Sequence, residues 1–153
     1  MDKGRGVNLP DVTAESTFAF GLLLRLTTTE GGGRQSGLAG GASPEARFTY
    51  RPNWGLPHMT GDDQTGALVL GFSKEDIRPG DQVRVVIVPP FPAMLVEWSR
   101  VPVGAELRMY EGRRLCGRGT VLWKQDTQLP LPEQDEQRFR QWLLDPAAPK
   151  TLQ

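Results

Sequence analysis

At 153 residues, the chain is long enough to build one cored domain without disulfide or metal staples. Its 18 Lys+Arg and 18 Asp+Glu cancel, which removes the basic excess that usually accompanies nucleic-acid binding. One cysteine, Cys116, excludes an intramolecular disulfide, and one histidine, His58, is too few for an ordinary zinc site or a His-based triad, so no cofactor is expected.

The first fifteen residues are polar and contain Gly and Pro, and read as a flexible lead-in over 1–15 without a signal-type apolar run. Next, Phe18, Phe20, Leu22, Leu24 and Leu26 alternate, the period-2 pattern of a strand with one buried face. The run from Phe18 to Leu24 is too short to span a bilayer, so no membrane contact and a cytoplasmic location are expected. Residues 30–44 hold six glycines and predict a surface loop. ARFTY (46–50) predicts a short strand, and the following stretch is broken by Pro52 and Pro57.

Leu68, Leu70 and Phe72 alternate again, and Pro79-Gly80 marks a turn before QVRVVIV, where Val83, Val85 and Ile87 face one side and Arg84 the other. Residues 89–95 are too rich in proline for a central strand. Two further strands form a hairpin across Glu111-Gly112-Arg113; Leu115, Val121 and Trp123 are expected inward, with a bend at Gly117 and Gly119. Six short strands with Gly/Pro turns point to a closed barrel or a sandwich. Residues 132–144 differ, because Phe139, Trp142 and Leu143 sit at i, i+3 and i+4 behind Pro132 and acidic residues. That pattern predicts a short amphipathic helix docked as a lid.

The last hairpin carries a specific resemblance. Glu111, Gly112, Arg114, Gly117, Gly119 and Val121 coincide with the Arg-Glu-Gly-Gly-Arg turn and the glycine-bearing strand that end the third domain of elongation factor Tu. Pro79-Gly80-Asp81, Tyr50-Arg51-Pro52 and Glu30-Gly31-Gly32 with Arg34 resemble further motifs of that domain, in the same order. The similarity covers about residues 17 to 123. It implies an all-β, six-stranded closed barrel over 16–124, followed by a tail over 125–153 that holds the helix.

The family's third domain contacts the T-stem of aminoacyl-tRNA and packs on a GTPase domain. Carried over, its RNA contacts fall on Arg51, Asn53, Thr65, Glu111 and Gly112, with Arg113 as added charge and Arg114 beside it. The family's edge lysine falls near Pro89, where the charge is lost. No GxxxxGK[ST] phosphate loop occurs in the chain, so neither nucleotide binding nor enzymatic activity is expected. Two functions remain. The first is a protein-binding module, such as a toxin-neutralising or translation-factor-mimicking protein, with Trp54, Phe91, Met94 and Tyr110 as surface anchors and Trp98 expected in the core. The second is binding of tRNA or another RNA through the hairpin. The paired acids Asp62-Asp63 and Glu75-Asp76 are expected in solvated turns.

Overall fold

The computed structural model describes residues 14–60, 63–90, 92–147 and 149–152. The alternating segment near the N-terminus forms β1 (Glu15–Leu26), whose Phe20, Leu22, Leu24 and Leu26 are fully buried. It is followed by β2 (Leu38–Ala39), β3 (Asn53–Gly55), β4 (Thr65–Gly66), β5 (Leu68–Phe72), β6 (Asp76–Ile77), β7 (Gln82–Val88), β8 (Glu106–Glu111) and β9 (Arg114–Leu129). Helices α1 (Leu95–Ser99) and α2 (Glu133–Leu144) complete the elements. Seven strands make one antiparallel sheet in the order β4-β3-β8-β9-β1-β7-β5, and β2 pairs with β6. The strands at the two ends of that order, β4 and β5, are separated along the chain by the single residue Ala67.

The sheet buries hydrophobic side chains on both faces. One core gathers the inward residues of β1, β7 and β8 with Trp54, Trp98 and Cys116. The second lies on the opposite face, where α2 covers Ala19, Leu70, Val86, Val88 and Trp123 with Phe139, Trp142 and Leu143. The predicted lid is therefore formed. Each of its three apolar anchors contributes roughly 1.5–3 kcal/mol on burial, before ordering entropy is subtracted. Glu133, Asp135 and Glu136 occupy the first turn of α2, where carboxylates oppose the positive end of the helix dipole.

What carries β9 from one core to the other is a pair of register shifts, between Leu115 and Gly117 and between Val121 and Trp123. A bulge inserts one residue and turns every later side chain to the other face. At the first shift Cys116, not Leu115, enters the core, while Leu115 stays half-buried. At the second, Trp123 lands opposite Gly21 on the α2 face, although Val121 remains in the first core. A Cβ on Gly21 would lie 2.1 Å from the Trp123 indole, so the close approach requires glycine. Trp123 then stacks on Phe139 (5.2 Å between ring centroids) and meets Trp142 edge-on (5.3 Å).

Several expectations are corrected. Residues 46–50 form no strand: Pro44–Ala46 is a 3-10 turn whose Ala46 N–H donates to Ser43 Oγ, and Phe48 sits at φ 62°, which turns the chain. Strand β9 continues to Leu129, so residues 125–129 belong to the sheet and the tail begins after them. The proline-rich segment leads into α1, too short for its period to show in sequence. Arg84 does point away from Val83 and Val85, but it is only 5% exposed, because α2 covers it. Its guanidinium donates to the Trp142 carbonyl (3.1 Å) and lies 4.7 Å from the Trp142 ring. The glycine-rich loop is tied down through β2, with Leu38 in the core. The lead-in expected over 1–15 lies outside the described residues as far as residue 13, and Glu15 opens β1. Among the described residues no helix is long and apolar enough to cross a membrane.

Candidate functional site

The chemistry-bearing residues fall at opposite ends of the long strand β9. Its start adjoins the β8–β9 hairpin. Gly112, at the first turn position, takes φ 61°, as a two-residue hairpin of this kind demands. Ladder pairing sets Asn53 opposite Tyr110, and Gln64 Nε2 donates to the Gly112 carbonyl (3.1 Å). Arg51, Asn53, Gly112, Arg113 and Arg114 are all exposed here, and Tyr110 is half-buried.

Two residues implied by the resemblance are withdrawn from this surface. Thr65 is buried, because it pairs with Trp54 on the core side of the sheet. Glu111 is engaged internally: Arg34 Nη1 forms an ion pair with its Oε2, and the Tyr50 hydroxyl donates to the same oxygen at 2.6 Å. Arg34 also donates to the Gly37 carbonyl (3.0 Å), so Glu111 anchors the glycine-rich loop. Burial, reinforced by the bond to Glu111, pushes the Tyr50 hydroxyl far above the usual tyrosine range. Burial, with the Glu111 charge second, likewise raises the Cys116 thiol and keeps it protonated. Arg118 pairs with Glu106 (3.0 Å).

The other end of β9 forms a cleft of about 770 Å³. Its walls are the terminal β1–β9 ribbon (Phe18, Asp126), helix α1 (Leu95, Val96) and the start of α2 (Pro132, Asp135). Val96 is 61% exposed, which is high for a large apolar side chain. Lys124 sits beneath, 4.8 Å from the Phe18 ring, and donates to the Ser99 and Val101 carbonyls (2.7 and 3.2 Å). Burial lowers its pKa, and the charge of Asp126 opposes that shift. Asp135 accepts from Thr127 Oγ1 at 2.7 Å, tying α2 to the ribbon.

Of the expected protein-binding anchors, Trp54 is 0% exposed and forms part of the core, because β3 faces it inward beside Met109. Trp98 is buried as expected, and Met94 is half-buried against the core. Phe91 lies outside the described residues, as does Asp62. Pro89 is buried, and its carbonyl accepts from Thr17 Oγ1 (2.6 Å). Sequence reasoning missed the cleft residues Leu95, Val96, Asp126 and Asp135. The signal was weak: an LV pair beside Trp98 in a five-residue helix shows no measurable period.

Among the described residues, no group of three His, Cys, Asp or Glu side chains is placed to hold a metal ion. The chain matches no protein-family model, and no curated protein is significantly similar to it.

Proposed function

We propose that the chain is a non-catalytic cytoplasmic binding module, a barrel of the type that forms the third domain of elongation factor Tu, and that it docks on a protein partner. Barrel closure is inferred from strand order: β4 and β5, at opposite ends of the sheet, are one stretch interrupted only at Ala67. Counted that way, the ring has six strands. The turn at Gly80 (φ 91°) and the hairpin at Gly112 (φ 61°) support the likeness. A single buried thiol suits a reducing compartment.

The observation that carries the docking reading is the cleft, with Phe18, Leu95 and the exposed Val96 presented to solvent beside a rim of polar groups. Apolar side chains rimmed by polar ones mark interaction sites. The test is capture from native lysate by immobilised chain, in the presence of RNase, followed by reconstitution with the purified partner. Val96→Asp should abolish capture while leaving the urea midpoint unchanged, since the side chain is exposed. Equal capture by the variant would refute the reading.

RNA binding is the second reading, favoured by the exposed grouping of Arg51, Asn53, Arg113 and Arg114 around the hairpin. The internal use of Glu111 and the burial of Thr65 remove two of its contacts.

A further inference from the structure

We propose that the cleft accepts an extended, lysine- or arginine-bearing segment of the partner protein, which adds as a strand to the free edge of β9 at residues 125–129. The inference rests on the docking reading above and names the chemistry of the partner. Its first support is the hydrogen-bond ladder. Strand β8 pairs with β9 only from Arg114 to Thr120, and the last backbone bonds on that side join Val121 to Gly104 (2.8 Å) and Ala105 (2.9 Å). Beyond Val121 the strand continues for eight residues to Leu129 with β1 as its one strand neighbour among the described residues. An edge of unpaired N–H and C=O groups is a template for another strand.

The second support is where the cleft lies. Asp126, Thr127 and Gln128 all line it, and consecutive side chains of a strand point to opposite faces. The paired β1 residues Ser16, Thr17 and Phe18 line it too, so the cleft reaches both faces of the ribbon in the stretch where β9 has no second strand neighbour among the described residues. Phe18, Leu95 and Val96 form an apolar wall of the same cleft, suited to alternate side chains of an incoming strand. A helix would have no backbone groups to offer the edge.

Charge supplies the third support. The lining carries Asp126 and Asp135 and no Lys or Arg. Lys124 nearby has its ammonium committed to the Ser99 and Val101 carbonyls, and Arg138 stands 3.9 Å from Asp135. Asp126 is exposed at the edge, so a basic residue on the incoming strand can meet it. A second copy of this chain pairing edge to edge about a two-fold would bring its own acidic residues against these, which opposes self-association.

The experiment uses fluorescence polarisation with the full chain and a labelled peptide, about eight residues long, that alternates valine and lysine. The lysine peptide is expected to bind saturably and a valine–glutamate peptide to bind far more weakly. Asp126→Asn and Asp126→Lys, checked for unchanged urea midpoints, should weaken binding, the latter by about tenfold. N-methylation of one alternate set of peptide amides should weaken it comparably, and methylation of the other set should be harmless. Equal binding of the glutamate peptide, tolerance of both methylated sets, or no peptide binding at all would overturn the proposal. Loss of the captured partner in Val96→Asp alongside such a result would leave the docking reading intact and reject strand addition alone. Retention of the partner by Val96→Asp would reject the docking reading itself.

Discussion

Gly21 shows how a single atom decides a position. Its Cβ would fall 2.1 Å from an indole that is itself held between Phe139 and Trp142, so neither partner can yield cheaply. Gly21→Ala is expected to cost at least roughly 2 kcal/mol through overpacking, read as a lowered urea midpoint. At Gly119 the nearest atom to an added Cβ is Leu22 Cδ1 at 3.1 Å, and Gly119→Val should cost roughly 1–3 kcal/mol by the same assay. Tyr50 supplies a prediction in pH. Its folded pKa is raised by burial and by the bond to Glu111, whereas in the unfolded chain it ionises at about pH 10. Below that pH both states keep the proton, and its contribution to stability is complete. Above it, only the unfolded state releases the proton, so stability falls by about 1.4 kcal/mol per pH unit from this group. Tyr50→Phe should therefore show a shallower alkaline loss than the parent chain in paired urea titrations at successive pH values. An identical alkaline slope in both proteins would show that the hydroxyl is not held protonated.

At the scale of elements, α2 and β9 depend on one another. The helix covers a sheet face that would otherwise expose Ala19, Leu70, Val86, Val88 and Trp123, and β9 presents Trp123 to it only because of the shift beyond Val121. Phe139→Ala removes the ring stacked on Trp123 and should cost roughly 3–5 kcal/mol, since the rigid sheet cannot collapse into the space. Chemical denaturation followed by tryptophan fluorescence measures this, and a midpoint within error of the parent would show that the helix does not dock. Deleting Leu122 makes a sharper test. Without the extra residue, Trp123 would follow Val121 directly and still pair with Gly21 on the α2 face, so the strand would lose its bulge and keep both cores. The deletion variant should therefore retain its near-ultraviolet circular dichroism, and loss of that signal would show that the bulge itself is needed to seat Trp123.

Across the whole molecule, the two ends of β9 offer different surfaces, one with three exposed arginines and the other apolar with two carboxylates. If RNA binds, the contacts are ionic, and Arg113→Ala with Arg114→Ala should flatten the log–log salt slope by about one to two units. If a protein docks in the cleft, that double change should leave affinity unaltered. Titration of tRNA and of the purified partner across salt concentrations separates the two. Much of the architecture was legible because it is written in local periods: the alternation of β1 and β7, the turn glycines Gly80 and Gly112, and the i, i+3, i+4 anchors of α2. In β5 the expected shared face of Leu68, Leu70 and Phe72 is corrected, because a register shift between Val69 and Gly71 puts Leu70 in the second core and Phe72 in the first. Sequence alone determined that β1, β5, β7, β8 and the start of β9 extend, that the chain turns at Gly80 and Gly112 and that the tail holds an amphipathic helix, since those follow from side-chain period and backbone freedom within a few residues. Tertiary structure decided what a period cannot carry. A one-residue bulge beyond Val121 reverses a face without altering the composition of the strand. The burial of Trp54, Thr65 and Arg84, and the capture of Glu111 by Arg34 and Tyr50, depend on neighbours tens of residues away. The cleft is walled by the part of β9 that outruns β8, together with β1, α1 and the start of α2, an assembly that is fixed by how elements pair in space.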